Sequence, residues 1–317
     1  MTERPPPPAE VGRDVPAAGG PPPNDTIAPS GVEGGTATSR AAPKARGTES
    51  LRRSARTFGR AVLVAALALS AIVPFALLAL WSVSRQWFYP ALLPPELTGE
   101  SWRALVGGSG AALTRAAVAS VALAALTGAL GCALALPVGR ALDRLGGWRR
   151  HLGAAAAFLP VAAPPVAVGT GLQYFFLTLG LGGTALGVLL AHLVPAVGYL
   201  SLYFLGVFSA FDARVEEEAR TLGATPLQVL RAVTVPMLRR QIAEAFALGF
   251  LISWAQVALT LLLGGGAVRT LPLEVFAYVR SGQDRFAATG ALLLAVPPLV
   301  ALAAVRLAAR RTEVVPA

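Results

Sequence analysis

The sequence predicts an all-α membrane protein with six transmembrane helices, and three observations support this fold class. First, 55% of the 317 residues are apolar and only 14% are charged, whereas soluble domains carry about 25% charged residues. Second, the charged residues are separated by long uncharged stretches. Third, the basic residues concentrate in alternate loops. A chain this apolar cannot cover its own surface with polar groups, so a water-soluble globule is excluded.

The uncharged stretches define the spans, because a helix needs about 20 apolar residues to cross the hydrocarbon. Four stretches hold 20 to 24 residues each, and the stretch between Arg150 and Asp212 holds 61. The longest one fits two crossings joined by a glycine-rich turn at 180–184. The six predicted spans are 61–83, 113–138, 152–178, 184–209, 242–264 and 286–306.

The arginines orient these spans through the positive-inside rule. They cluster before span one, after spans two and four, and at the C-terminus, while the opposite loops hold fewer. Both termini are therefore predicted to be cytoplasmic (N-in, C-in). The formal charge of +10 is then expected to meet anionic membrane lipid rather than nucleic acid.

The ends of the chain differ from its middle. Residues 1–57 hold ten of the 25 prolines and no apolar period, which predicts a disordered cytoplasmic tail. Residues 58–109 contain the first span and an outer loop, and 309–317 form a cytoplasmic C-terminus.

The loop after span four, residues 211–236, predicts two short helices joined by a bend. Asp212 is a suitable N-cap, and Gly223 suits the left-handed position that follows a helix. Thr225 and Pro226 suit the cap and first position of the second helix, which Pro236 is expected to end before span five. Local physics leaves two interpretations open: a docking element for a partner, or an ordinary solvated loop.

This segment resembles the EAA loop of permease subunits of ATP-binding-cassette (ABC) importers. The family pattern is Glu-Ala-Ala, three residues, Gly, nine residues, then Ile-x-Leu-Pro. This chain has Glu217-Glu218-Ala219, then Gly223, then Val233-Thr234-Val235-Pro236. Glu218 replaces the first alanine, and valines replace Ile and Leu. The resemblance covers about residues 110–308, which it identifies as a MetI-like permease core.

The resemblance implies that the first helix of the segment docks into a cytoplasmic ATPase subunit. Glu217 would make a charge-assisted contact there, beside Glu218, Ala219 and Arg220. Gly223 would supply the bend, and Pro236 would set the exit angle into span five. Arg220 could equally pair with a glutamate one turn earlier in its own helix.

The resemblance also implies partners. One such loop with six spans makes half a pore, so a second permease subunit, identical or similar, is expected in a bacterial inner membrane. A separate ABC ATPase would power transport, and an extracytoplasmic solute-binding protein would dock near 265–285. The chain itself would be neither an enzyme nor a cofactor protein. The alternative is a secondary carrier or another multi-pass transporter without an ATPase, although the spans lack the buried carboxylates typical of proton coupling.

Polar residues inside the spans are candidate pore-lining groups, because such groups are costly in lipid. They are Gln173 in span three and Ser253, Gln256 and Thr260 on one face of span five. Interhelical hydrogen bonding is the alternative role for each, and His192 is expected to be a packing group. The two histidines and the single Cys132 predict no metal site.

The substrate expectation rests on resemblance alone. The outer segments 87–94 and 262–273 look like those of permeases in the polyamine, thiamine, ferric-iron and sulfate branch. A polyamine is the first expectation.

Overall fold

The computed structural model describes residues 45–312 apart from 86, 88, 89 and 109, with side chains described over 58–304 and at 306. The predicted disorder of 1–44 lies outside these residues. The first helix begins at Ala45, earlier than the predicted boundary at 58. Residues 45–57 contain Ala, Glu, Leu and several Arg, which are good helix formers. The described residues from Val62 onward make one compact unit.

The described elements, in chain order, are α1 (Ala45–Ser82), β1 (Ser84–Arg85), β2 (Glu96–Leu97), α2 (Glu100–Gly107), α3 (Ala111–Arg144), α4 (Gly147–Ala162), α5 (Pro165–Thr178), α6 (Ala185–Ser209), α7 (Arg214–Thr221), α8 (Pro226–Val229), a π-helical turn (Leu230–Thr234), α9 (Val235–Met237), α10 (Arg239–Trp254), α11 (Val257–Gly264), α12 (Leu271–Arg280) and α13 (Asp284–Thr312). β1 and β2 form a short antiparallel pair.

The candidate membrane spans fall where the sequence predicts them, but two are bent. Four stretches are long and apolar enough to cross a membrane alone: Phe58–Ser82, Ala111–Arg144, Ala185–Ser209 and Asp284–Ala304. The pair α4–α5 bends by 91° and the pair α10–α11 by 57°. Among the described residues the count is therefore four spans, or six if each bent pair is one crossing.

The two bends have different origins. Between α4 and α5, Ala163 and Pro164 are extended, with ψ of 139° and 131°. A residue before proline avoids the helical region, and the two consecutive prolines Pro164 and Pro165 account for this bend. Between α10 and α11 the break falls at Ala255–Gln256, where Gln256 has ψ of 84°. No proline or glycine marks that break, and the sequence did not predict it.

Glycines allow the helices of the core to pack closely. A Cβ at Gly139 of α3 would lie 2.5 Å from the Phe204 Cβ of α6. A Cβ at Gly128 of α3 would lie 2.9 Å from the Phe246 carbonyl of α10. Small residues at such contacts let backbones approach within the bilayer, where packing rather than hydrophobic burial drives helix association. α3 is therefore held against both α6 and α10.

A side chain from α10 satisfies a carbonyl that proline leaves free in α13. Pro298 has no N–H to donate to the Leu294 carbonyl one turn earlier. The Trp254 indole N–H donates to that carbonyl at 3.1 Å instead. This bond ties the end of α10, next to its break, to the middle of α13.

α12 occupies the 265–285 region that the sequence treated as a loop. Its first residue, Leu271, donates its free backbone N–H to the Ser120 hydroxyl of α3 at 2.8 Å. Leu271, Glu274 and Tyr278 are buried, and burial, followed by the nearby Glu274 carboxylate, raises the pKa of Tyr278. α12 is thus anchored to the end of α3 that lies away from Arg144.

His192 on α6 holds both sides of the α10–α11 break. The Thr260 hydroxyl donates to the Gln256 carbonyl at 2.6 Å, so its oxygen accepts from His192 Nε2–H at 3.0 Å. His192 Nδ1 is then the acceptor for the Ser253 hydroxyl at 2.8 Å. All three side chains are buried. This neutral tautomer satisfies every polar atom of the three side chains and fixes the bend.

We expect His192→Leu to destabilise the protein, because it leaves two buried hydroxyls without their imidazole partner. Intramembrane hydrogen bonds contribute about 0.6 kcal/mol on average, so the loss should be about 1–2 kcal/mol, measured as a lower thermal unfolding midpoint in detergent. The matched control is His151→Leu, since His151 is exposed and its hydrogen bond is to the Gly147 carbonyl of its own helix. Equal midpoints for the two variants would contradict the role of His192 as a clamp.

Candidate functional site

The 211–236 segment forms the predicted helix, bend and second helix between α6 and α10. The Asp212 carboxylate accepts from the Arg214 backbone N–H at 3.0 Å, which covers one free donor at the start of α7. Glu216 and Glu217 lie in the first turn of α7, where the helix dipole favours negative charge. The cap position itself is Ala213, which makes no side-chain cap bond, so the predicted N-cap at Asp212 is wrong by one residue.

The bend follows the geometry expected of a helix ending at glycine. Gly223 has φ of +89°, a left-handed conformation that residues with a Cβ rarely adopt. The Gly223 N–H donates to the Arg220 carbonyl at 2.9 Å, and the Ala224 N–H donates to the Ala219 carbonyl at 3.1 Å. These paired bonds are a Schellman motif, so Gly223 ends α7 and turns the chain.

The second helix begins with a capping box. The Gln228 N–H donates to the Thr225 hydroxyl at 3.4 Å, while the Thr225 N–H donates to the Gln228 side-chain oxygen at 2.8 Å. Pro226 takes the first helical position, where its missing N–H has no cost. The predicted cap and first position are confirmed.

The predicted end of the second helix at Pro236 is wrong. α8 runs through the π-helical turn into α9, which contains Pro236, and the regular helix breaks at Leu238. In the wider turn, the Val235 N–H donates to the Leu230 carbonyl five residues earlier. Because the π-helical turn shifts the backbone hydrogen-bond register, the helix continues past Pro236 before the chain turns into α10.

One face of α7 is exposed. Glu217, Glu218 and Arg220 are exposed, and Ala219 is half-buried. Leu222, which follows α7, is 88% exposed. Among the described residues Arg220 has no carboxylate partner, so the intrahelical pair is not formed. The exposed face combines charge with an apolar tip.

The opposite face of α7 carries Glu216, a residue that the sequence did not single out. Glu216 is only 4% exposed. Its carboxylate accepts from Arg140 of α3, lies 3.7 Å from the Arg144 guanidinium, and accepts from the Thr234 hydroxyl at 2.6 Å. Nothing in the local pattern separates Glu216 from its two neighbours, because its partners come from distant parts of the chain.

The candidate pore residues lie in two settings. Ser253 and Thr260 are buried in the His192 cluster described above, which is the interhelical bonding that the sequence allowed as an alternative. Gln256 is half-buried at the α10–α11 break and lines a cavity of about 70 Å³. The same cavity is lined by Pro160, Pro165 and Tyr199, so the two bends meet there.

Gln173 of α5 lies elsewhere. It is half-buried beside a second small cavity of about 60 Å³, with Gly183 and Leu262 among the other lining residues. The structure therefore does not bring Gln173 together with Gln256. Over the described part of the chain, no cluster of three or more His, Cys, Asp or Glu could hold a metal ion.

Two relatives with named transport systems are similar to more than half of this chain. The chain is 31% identical over 188 residues to the putrescine transport system permease protein PotI of Escherichia coli K12, an alignment that spans 57% of this chain and 64% of PotI. It is 34% identical over 203 residues to the molybdenum transport system permease protein ModB of Mycobacterium tuberculosis H37Rv, spanning 59% of this chain and 74% of ModB.

The fold is also that of a solved transporter chain. A crystal structure of a bacterial ABC transporter involved in the import of the acidic polysaccharide alginate contains a chain with a TM-score of 0.60 and 15% sequence identity. The match covers 82% of this chain and 99% of that one.

The family itself follows from a match to more than half of the sequence. Residues 128–314 match the family described as binding-protein-dependent transport system inner membrane component. The matched range includes α6 to α12 and therefore the whole 211–236 segment. The chain belongs to this family of ABC importer permeases.

Proposed function

We propose that this chain is a permease subunit that contributes half of the pore of an ABC importer and is driven by a separate ATPase through α7. The observation that carries the proposal is the two-sided α7. Its exposed face holds Glu217, Glu218 and Leu222, while its other face is fixed by the buried Glu216. A rigid element with a free mixed surface suits docking to another protein.

The orientation we propose places α7 in the cytoplasm, with both termini on the same side. The basic residues support it, because Arg140, Arg144 and Arg150 lie near the same end of the bundle as α7. Arg140 and Arg144 contact Glu216, and Arg150 donates to the Ser209 hydroxyl at 2.6 Å. Clustered arginines mark the cytoplasmic end of membrane helices.

We further propose that the chain pairs with a second permease subunit. Large apolar side chains on α1, including Leu63, Leu69 and Ile72, are 59–63% exposed. That surface is open to lipid or to a partner subunit. An extracytoplasmic solute-binding protein would dock at the opposite end, where α12 lies. One match, to a bacterial alginate ABC transporter solved with a pentasaccharide-bound periplasmic protein, supports such a partner for the fold.

For the substrate we propose a polyamine first and molybdate second. The similarity to PotI, named for putrescine transport, supports the first. The similarity to ModB, named for molybdenum transport, has higher identity and coverage and supports the second. The polyamine is placed first because two separate relatives, PotI and the spermidine/putrescine permease PotC, are named for polyamine transport. The two candidates have opposite charge, so one assay separates them.

We expect Gly223→Pro to abolish association with the ATPase while membrane insertion continues. Proline fixes φ near −65°, whereas Gly223 needs +89° and donates its N–H to Arg220. The measurement is co-purification of the ATPase from mild detergent, with membrane-fraction yield as the check on insertion.

The matched control for that experiment is Gly223→Ala. Alanine keeps the N–H and adopts a left-handed conformation at a cost of about 1–2 kcal/mol, so most of the ATPase should still co-purify. A Gly223→Pro variant that bound the ATPase as wild type does would contradict the assignment of α7 as the docking element.

Uptake by cells expressing the whole transporter should identify the substrate class. We expect labelled putrescine to accumulate in an ATP-dependent manner, and unlabelled putrescine but not molybdate to compete. Accumulation of labelled molybdate, with competition by molybdate alone, would replace the polyamine proposal with the oxyanion. ATP-independent uptake driven by a proton gradient would instead favour a secondary carrier.

A further inference from the structure

Glu216 is the one carboxylate of α7 that points into the protein. Its side chain is 5% exposed, and the Arg140 side chain that contacts it is 15% exposed. Arg144 is 56% exposed and lies farther away, at 3.7 Å. A buried charge is stable only with close partners. Arg140 is therefore the principal ionic partner of Glu216.

This pair joins elements that are far apart in sequence. Glu216 lies on α7, Arg140 on α3, and the Thr234 hydroxyl that donates to the second carboxylate oxygen comes from the π-helical turn. The Arg140 guanidinium also lies 6.0 Å from the centre of the Phe208 ring of α6. A single carboxylate thus connects α7 to the ends of two long helices.

α3 is well suited to carry a displacement away from this point. It is a continuous helix of 34 residues, and it packs closely on α6 at Gly139, next to Arg140. Near its other end, the Ser120 hydroxyl accepts from the first N–H of α12, and Leu113 packs in a cluster with Tyr278 and Phe286. The same helix, which continues through Pro137, therefore contacts both α7 and α12.

We propose that the Glu216–Arg140 pair is the joint through which a displacement of α7 moves α3. This inference rests on the proposed docking of α7 to an ATPase, and it adds the residue that passes the motion into the membrane helices. Glu216 is a positioning residue: it contacts neither ATPase nor substrate, and it acts by keeping α7 and α3 together while both move. The exposed Glu217 and Glu218 have no such contact in the described structure.

If the Glu216–Arg140 pair keeps the two helices together, the distance between α7 and α3 should stay constant through the ATP cycle. Spin labels at Thr221→Cys and Ala141→Cys report that distance, since both positions are exposed and lie on the two helices. The only native cysteine, Cys132, is buried. In the complex purified with its ATPase, we expect the same narrow distance distribution without nucleotide and with ATP plus vanadate.

Breaking the joint should uncouple the two helices only when nucleotide binds. In Glu216→Gln, the distance should match that of the parent without nucleotide and change by about 1–2 Å or more with ATP plus vanadate, the size of helix shifts at interfaces. Arg140→Gln, made at the other end of the pair, should give the same change. The double variant should add nothing further, because the two residues act as one unit.

The matched control is Arg231→Gln, which removes an exposed charge from the same segment and should leave the distance constant. A distance in Glu216→Gln that stays constant with nucleotide would overturn the joint. A distribution already broad without nucleotide would also overturn it, because the pair would then only hold α7 in its folded position. Failure of the parent protein to bind any ATPase would contradict the proposed function instead.

Discussion

The burial of the Glu216 carboxylate determines which face of the 211–236 segment is exposed. If Glu216 moved away from Arg140 and Arg144, a charged group would be left buried without a partner, which is costly. The position of Glu216 therefore fixes the rotation of α7 about its own axis. Once Glu216 faces α3, Glu217, Glu218 and Leu222 must face away from the bundle. The same contact determines where α7 sits and which surface it offers to a partner.

Contacts made by α3 connect α7 to the other membrane helices. α3 contacts α7 near Arg144 and α12 through Ser120, and glycines bring α3 close to α6 and α10. The bent pairs are α4–α5 and α10–α11. His192 of α6 bonds to both sides of the break in α10–α11. The structure therefore combines one long helix, α3, that contacts both α7 and α12 with two bent spans whose breaks line one cavity.

Much of this arrangement could be predicted from local signals. Uncharged stretches locate the spans, and Gly223, Thr225 and Pro226 define the bend and the second helix because capping depends on residues only a few positions apart. The kink at Pro164–Pro165 follows from proline geometry. The break at Ala255–Gln256 has no proline or glycine signal in its own segment, and the side chain that bonds across it, His192, comes from another helix. Glu216 was missed for the same reason, since its partners are distant in sequence.

The proposed role of α7 requires this helix to lie on the cytoplasmic side of the membrane. Leu222→Cys provides a reporter, because Leu222 is 88% exposed and the native Cys132 is buried. A membrane-impermeant maleimide should label this cysteine in inverted membrane vesicles and leave it unlabelled in intact cells. Labelling in intact cells, with none in inverted vesicles, would place α7 outside and contradict its role as the element that an ATPase moves.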